Sequence, residues 1–201
     1  AEGMAELAKA GLTTNQVLGA TGPILQLAGA TGTDLDTSVR SVVATLKQFN
    51  YDVSQTQRVV DVFATGVTSS LLDMTSLTEA MKFGGIAGKG YKMTLEETVS
   101  ALAAFRNMGL EGSLAGTNFR MAMANAAVAT DRKRNALAKY KLTLKDVSPE
   151  GKTFGQILET MANNSVTLSD QLVIFGRRSG AQMKELGDAI EGDYKEESAK
   201  Y

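Results

Sequence analysis

Apolar residues recur along this chain at spacings of three and four, the period of a helix with one buried face, and the alternating pattern of a strand is hard to find. Leu35, Val39, Val42, Val43 and Leu46 form one stripe, and Val59, Val60, Phe63 and Val67 form another. Further stripes are Leu95, Val99, Leu102 and Phe105, then Phe154, Ile157, Leu158 and Met161, then Leu168, Leu172 and Phe175. Each gives a helix one face to bury.

The polar punctuation between stripes fits helix ends. Ser76-Leu-Thr-Glu79 and Thr94-Leu-Glu-Glu97 have the capping-box form, in which side chains satisfy the first free N–H groups of a helix. Gly11, Gly32, Asn50 and Gly109 stand where preceding stripes stop, and such residues adopt the left-handed conformation that closes a helix. Pro23 and Pro149 fall near expected starts, where a missing N–H costs nothing.

These signals predict helices over 2–10, 14–20, 23–30, 35–49, 54–70, 76–88, 94–108, 113–128, 131–140, 153–163, 168–176 and 179–198. The expected fold is all-α, a multi-helix bundle of stacked helical hairpins, with a short non-helical connector near 141–153. That connector divides the chain into a helical core region, 1–140, and a C-terminal helical subdomain with an exit helix, 141–201, expected to continue into a longer helical protein. A faint repeat runs through Thr13, Ser54, Thr94 and Thr143, each after an apolar residue, at intervals of 41, 40 and 49 residues. A period near 40 is shared by arrays of stacked helix pairs, although helical chains in general reuse such caps.

Composition narrows the chemistry. The 201 residues include no Cys and no His, which removes thiol nucleophiles, disulfides, Cys/His zinc sites and every triad that needs an imidazole. With 21 Lys+Arg against 22 Asp+Glu, no global field draws the chain to nucleic acid or an anionic membrane. No run approaches the ~20 apolar residues of a membrane span.

The candidate motifs are weak as chemistry. Gly84-Gly-Ile-Ala-Gly88-Lys89-Gly90 resembles a phosphate loop only in its Gly-Lys pair: Phe83 stands where that loop needs Gly, and Gly90 where it needs Ser or Thr. It reads as a flexible interhelical loop. The acid pairs Asp34/Asp36 and Glu96/Glu97 fall in caps or first helical turns, where the helix dipole favours an acid, so they read as caps. A wall-degrading enzyme would have to use Glu79, Glu96 or Glu97, and nothing else marks a sugar cleft. The basic clusters Arg132-Lys133-Arg134 and Arg177-Arg178 read as solvated faces, with contact to DNA or to an acidic wall as the alternative. No cofactor or metal site and no catalytic residue is expected.

The most informative run is Asn107-Met-Gly109-Leu-Glu-Gly112-Ser-Leu-Ala-Gly116-Thr117-Asn-Phe-Arg120. Gly112 and Gly116 are one helical turn apart, on a face that lets another backbone approach closely. A Gly-rich step, then Gly-Thr, then Arg three residues on is the pattern of the conserved core region of phage tail tape measure proteins. This chain resembles that family at Gly109, Gly112, Gly116, Thr117 and Arg120. The similarity continues upstream through Leu7-Ala-Lys-Ala-Gly11-Leu-Thr, Leu27-Ala-Gly-Ala-Thr-Gly32, Phe49-Asn-Tyr-Asp-Val-Ser54, Val60-Asp61-Val-Phe63 and Leu95-Glu-Glu97-Thr, and downstream through Phe175-Gly176-Arg177-Arg178. Phe119-Arg120 stands where Leu-Arg is more usual.

The resemblance implies a non-enzymatic structural protein of the virion tail. Tail-tube subunits polymerise around it with the help of assembly chaperones in the host cytoplasm. It thereby helps template tail-tube assembly and length, the long helical remainder setting that length, and it leaves the tube ahead of the genome. It implies tail-tube and tail-tip proteins, tail assembly chaperones and further copies of itself as partners, with DNA contact as an addition. A helical-repeat adaptor for a protein partner is the alternative that the period near 40 would favour.

Overall fold

The computed structural model describes residues 2–9 and 11–189. Among them are eleven α-helices and no strand: α1 Glu2–Lys9, α2 Thr14–Thr31, α3 Leu35–Phe49, α4 Thr56–Thr68, α5 Met74–Gly90, α6 Leu95–Asn107, α7 Gly112–Ala127, α8 Asp131–Ala138, α9 Phe154–Asn163, α10 Leu168–Phe175 and α11 Gly180–Ala189. Short 3-10 turns at Val53–Gln55 and Leu144–Asp146 complete the elements, the second inside the expected connector. The expected helix over 179–198 lies outside the described residues beyond position 189.

The helix ends follow local chemistry. The Asp34 side chain accepts from the Thr37 N–H at 2.8 Å to start α3, and Asn50 closes it at φ 56°. Thr13, Thr94 and Thr153 each form a capping box with the residue three positions on. Gly11, Gly32 and Gly109 all adopt positive φ. The box expected at Ser76 is displaced by one turn. Asp73 is the cap, and Ser76 answers it, so that α5 starts at Met74 and Glu79 is freed from capping.

Two other expectations fail. Segments 14–20 and 23–30 are one helix, α2, with Pro23 inside it. Gly22 before the proline has no Cβ to collide with the ring, and Val17, Ala20, Ile24 and Leu27 form one unbroken buried face that outweighs the lost hydrogen bond. The run Gly84–Gly90 is the last part of helix α5 and no loop. A Cβ on Gly84 would meet the Leu102 side chain at 2.7 Å, and one on Gly88 would meet the Thr98 hydroxyl at 2.1 Å, so these glycines let α6 lie against α5. Pro149 sits in the turn that precedes α9.

The helices stack in two rows. α1, α3, α5 and α7 contact one another in that order, and α2, α4 and α6 form the second row. The caps Asp34, Asp73 and Glu111 of α3, α5 and α7 are 39 and 38 residues apart, so the period near 40 corresponds to one stacked helix pair. Partly buried polar pairs link the rows internally. Ser41 and Thr78 hydroxyls lie 2.6 Å apart between α3 and α5, and Arg58 on α4 grips Glu96 on α6 with two bonds of 2.6 and 2.8 Å.

The C-terminal helices close the far end of the stack. Phe154 of α9 packs edge-on against Phe119 of α7, ring centroids 5.6 Å apart, and lies 6.1 Å from Phe105 of α6. The buried apolar core therefore runs from Leu7 to Leu186 without a break at the connector.

Candidate functional site: the surroundings of helix α7

Helix α7 carries the glycine run and touches α5, α6 and α10. Its entry is set by Gly109, at φ 85°, whose N–H donates to the Arg106 carbonyl at 2.8 Å and ends the turn after α6. Gly112 is the first residue of α7, and a Cβ there would lie 2.8 Å from a Glu79 carboxylate oxygen and 3.1 Å from the Ser76 carbonyl. At Gly116 the constraint is stricter, since a Cβ would lie 2.1 Å from the Ala80 carbonyl oxygen and 2.9 Å from its Cα. The obstacle is backbone, which cannot rotate away.

These contacts pair Gly112 with Ser76 and Gly116 with Ala80, and one turn later the Arg120 guanidinium lies 5.9 Å from the Phe83 ring centroid. The offset is nearly constant, so α5 and α7 run parallel, with α6 as the return. Thr117 is half-buried on α7, while Arg120 is exposed and covers Phe83 with its guanidinium.

The other end of α7 holds the downstream part of the motif. Phe175 is fully buried at the end of α10. Its carbonyl accepts from Asn125 Nδ2 at 3.0 Å, and Gly176 turns away at φ 83° where a Cβ would lie 2.5 Å from the same amide nitrogen. Ser179 Oγ donates to the Asn118 carbonyl at 3.0 Å, which fixes the start of α11 on the middle of α7. Seven residues from one sequence pattern, Gly109, Gly112, Gly116, Thr117, Arg120, Phe175 and Gly176, thus gather along a single helix and its two ends.

Lys133 departs from its expectation as a solvated charge. It is 3% exposed, and its ammonium donates to the carbonyls of Asn125 and Val128 at the C-terminal end of α7. Burial lowers its pKa to about 8. The role is that of a cation on the negative end of a helix dipole. Its neighbours Arg132 and Arg134 stay exposed, as do Arg177 and Arg178. A second polar knot joins α8 to α10. Asp170 is buried, which opposes its charge, yet bonds from Lys139 at 2.7 Å and Tyr140 at 2.8 Å hold its pKa below the usual value.

Of the candidate acids, Asp34, Asp36, Glu96 and Glu97 have structural partners, and Glu79 lies beside Gly112. Arg58 holds the Glu96 carboxylate below its ordinary pKa, Glu97 completes the Thr94 capping box, and the Thr37 N–H does the same for Asp34 that Arg58 does for Glu96. Asp36 pairs with Arg40 one turn on. The bond across α4 and α6 and the burial of Lys133 are both invisible locally, because each depends on a residue or backbone brought in by the fold. Among the described residues no group of three or more acidic side chains could hold a metal ion, and no helix is long and apolar enough to cross a membrane.

Residues 1–174 match the family described as phage-related minor tail protein. The chain belongs to that family. It is 32% identical over 130 residues, 65% of its length, to the tape measure protein of Pneumococcus phage Dp-1. It is 21% identical over 155 residues, 77% of its length, to the probable tape measure protein of Escherichia phage P2. The chain spans only 11% and 19% of the lengths of these two relatives. No solved structure matches it. The family resemblance read from the glycine run and its flanking motifs is therefore correct at the level of the tail protein family, and the all-α fold agrees with the helices.

Proposed function

We propose that this chain is the folded core segment of a phage tail tape measure protein, a non-enzymatic part that nucleates assembly and does not itself measure length. Its setting is the virion tail, in the tube lumen or at the tip, after assembly with chaperones in the host cytoplasm. Its partners are tail-tube and tail-tip proteins, and it leaves the tube during genome ejection. Residues 1–140 would supply the core region and 141–201 the exit toward the longer helical remainder. The exposed Arg132, Arg134, Arg177 and Arg178 supply the charges for contact with DNA or an acidic tube wall.

The observation that carries the reading is the match over residues 1–174 to a tail protein family whose curated relatives are named tape measure proteins. The shape supports the division of labour. Among the described residues the longest helix has 18 residues, about 27 Å at 1.5 Å per residue, and the helices fold back on one another. A ruler needs contour length, and this segment has folded most of its own away.

The test is tail length by electron microscopy for two sets of in-frame deletions. Removing 100 residues from an extended helical part of the full protein should shorten tails by about 150 Å. Removing the same number from Leu7 to Leu186 should abolish assembly or ejection, because Phe63, Phe105 and Phe154 lose their partners and the core unfolds. Infectious particles whose tails shorten by about 1.5 Å per residue removed from this segment would show that it is part of the ruler. The stacked two-row arrangement also suits an adaptor that displays one face to a protein partner. That reading gains if deletions here leave tails of normal length and abolish only the recruitment of another tail component.

A further inference from the structure

Helices α3 and α5 lie side by side and run parallel. The Ser41 and Thr78 hydroxyls meet at 2.6 Å, and two turns on the Gln48 amide lies against Gly85, where a Cβ would be 2.1 Å from Gln48 Oε1. Each of these pairs is separated by 37 residues in sequence. The turn between them holds Thr45 and Lys82, the pair with the same separation, and no bond joins these two. Here a cleft of about 460 Å³ opens, with the exposed Arg40 and Lys82 at its mouth and Phe63 of α4 and Met81 as apolar walls. No Asp or Glu lines it. Between α5 and α7 no such gap is left at Gly116, which rests on the Ala80 backbone.

The cleft holds polar groups that the fold does not use. Ser38, Ser41 and Thr78 each donate to the carbonyl one turn back, whereas the Thr45 hydroxyl has no partner among the described residues although Thr45 is only 2% exposed. Gln48 Nε2 donates to the Met81 carbonyl at 3.0 Å, which turns Oε1 away and leaves it without a donor. Lys82 has no carboxylate partner among the described residues, and Arg40 holds Asp36 with one nitrogen and keeps the others. The described polar atoms sealed from solvent without a partner belong to Ser100, Arg106, Gln171 and Gln182. Thr45 Oγ1 and Gln48 Oε1 are not among them, so both open on the cleft.

We propose that this cleft captures the C-terminal carboxylate of a peptide whose last residue is apolar. The carboxylate takes the Lys82 ammonium and the Thr45 hydroxyl, with the Arg40 guanidinium at the rim. The last amide N–H donates to Gln48 Oε1, and the last side chain lies against Phe63 and Met81. Charge selects the anion, because two cations stand at the mouth and no acid lines the walls to offset them. The spare acceptors select a chain end over a fatty acid. At the Ser41–Thr78 turn two hydroxyls with two protons serve three contacts, so that turn can accept and has nothing left to give. A peptide terminus brings an N–H beside its carboxylate, and a fatty acid brings none. The inference does not rest on the tape measure reading.

The test is titration calorimetry on the whole chain with three probes: acetyl-Ala-Ala-Leu with a free C-terminus, the same peptide as its C-terminal amide, and octanoate. The free peptide should bind with a Kd below about 1 mM, and the amide and octanoate each about tenfold more weakly. Lys82→Met keeps the aliphatic stem and removes the charge, so it should weaken the free peptide by about tenfold and leave the amide unchanged. Thr45→Val keeps the shape and removes the hydroxyl. It should weaken the free peptide and melt no lower than the wild type, since the lost hydroxyl has no partner in the chain. Equal binding of peptide and amide, wild-type binding by Lys82→Met, or no binding of the free peptide at millimolar concentration would each overturn the proposal. Octanoate binding as tightly as the peptide would overturn the choice of a chain end, and a lowered melting temperature in Thr45→Val would show that the hydroxyl belongs to the fold and not to the site.

Discussion

Helices α2 and α7 have similar lengths, 18 and 16 residues, and both are rich in glycine, yet they use it in opposite ways. In α7 the glycines are occupied space: the Ala80 backbone sits where a Gly116 side chain would be, and Ser76 and Glu79 crowd Gly112. In α2 the glycines at 19, 22 and 29 face nothing within 4 Å. A glycine in a helix interior costs roughly 0.5–1 kcal/mol relative to alanine, so its presence has to be offset by something. Along α7 the offset is close contact with α5, and the helix is held at its far end by Asn125 and Lys133. Along α2 no such return exists among the described residues. The comparison separates a glycine that the fold requires from one that the fold merely tolerates.

The largest effect should come from closing the space at Gly116. Gly116→Ala places a methyl group against backbone and should cost about 1–3 kcal/mol, and Gly116→Leu more than that. For a chain of this size such a loss lowers the melting temperature by about 2–4 °C per kcal/mol. A Gly116→Ala protein that melts with the wild type would mean that α5 and α7 separate at little cost, and the contrast with α2 would collapse.

Gly176 tests the other end of α7. Its φ of 83° is in the region that side chains rarely adopt, and the Asn125 amide occupies the direction of a Cβ. Gly176→Ala should cost about 1–3 kcal/mol through strain and the loss of the Asn125 bond to Phe175. Thermal melts and proteolysis between α10 and α11 would register it. An unchanged protein would mean that the α10–α11 corner is held by Phe175 and Ser179 alone.

Lys133 gives a prediction with a definite sign in pH. Its native pKa is lowered from 10.5 to about 8, so between those values the unfolded chain binds the proton and the native chain releases it. Stability from this group therefore rises with pH across the window from about 8 to about 10.5, and is flat below it. Measured as the difference in unfolding free energy between wild type and Lys133→Met, the gap should move in favour of the wild type as pH rises through that window. A gap that stays constant from pH 7 to pH 10 would show that the two carbonyls at the end of α7 compensate the burial of the charge fully.

Part of this was legible in the sequence, for reasons that differ between elements. The bounds of α3, Leu35–Phe49, could be read directly, because Asp34 and Asn50 act through bonds to residues three or four positions away. Glycine misled at Gly84–Gly90, where the run signals a close approach of α6 and had the composition of a loop. Proline misled at Pro23, where burial on one face carried the helix through. Lys133 could not be read at all, since a charge between two arginines carries no mark of the Asn125 and Val128 carbonyls that enclose it. The spacing of Gly112 and Gly116 says only that the two share a face. Which backbone they meet is decided by α5, 36 residues upstream at Ser76 and Ala80, and nothing local names it.

The smallest effect is the one that isolates α2. Gly29 lies within α2, and a methyl group added there would meet nothing within 4 Å. Alanine loses less backbone freedom on folding than glycine, so Gly29→Ala should stabilise the chain by about 0.5–1 kcal/mol and raise the melting temperature by a few degrees at most. The same change at Gly116 should move the melting temperature in the opposite direction, and the pair of variants turns the comparison into a difference of sign that does not depend on either magnitude. Gly22 gives no such test, since it precedes Pro23 and a Cβ there meets the proline ring. No proline follows Gly29, so Gly29→Ala should show the full gain. If Gly29→Ala also lowers the melting temperature of the dilute protein, then the outer face of α2 is not the open surface it is taken to be, and the division between required and tolerated glycines does not hold.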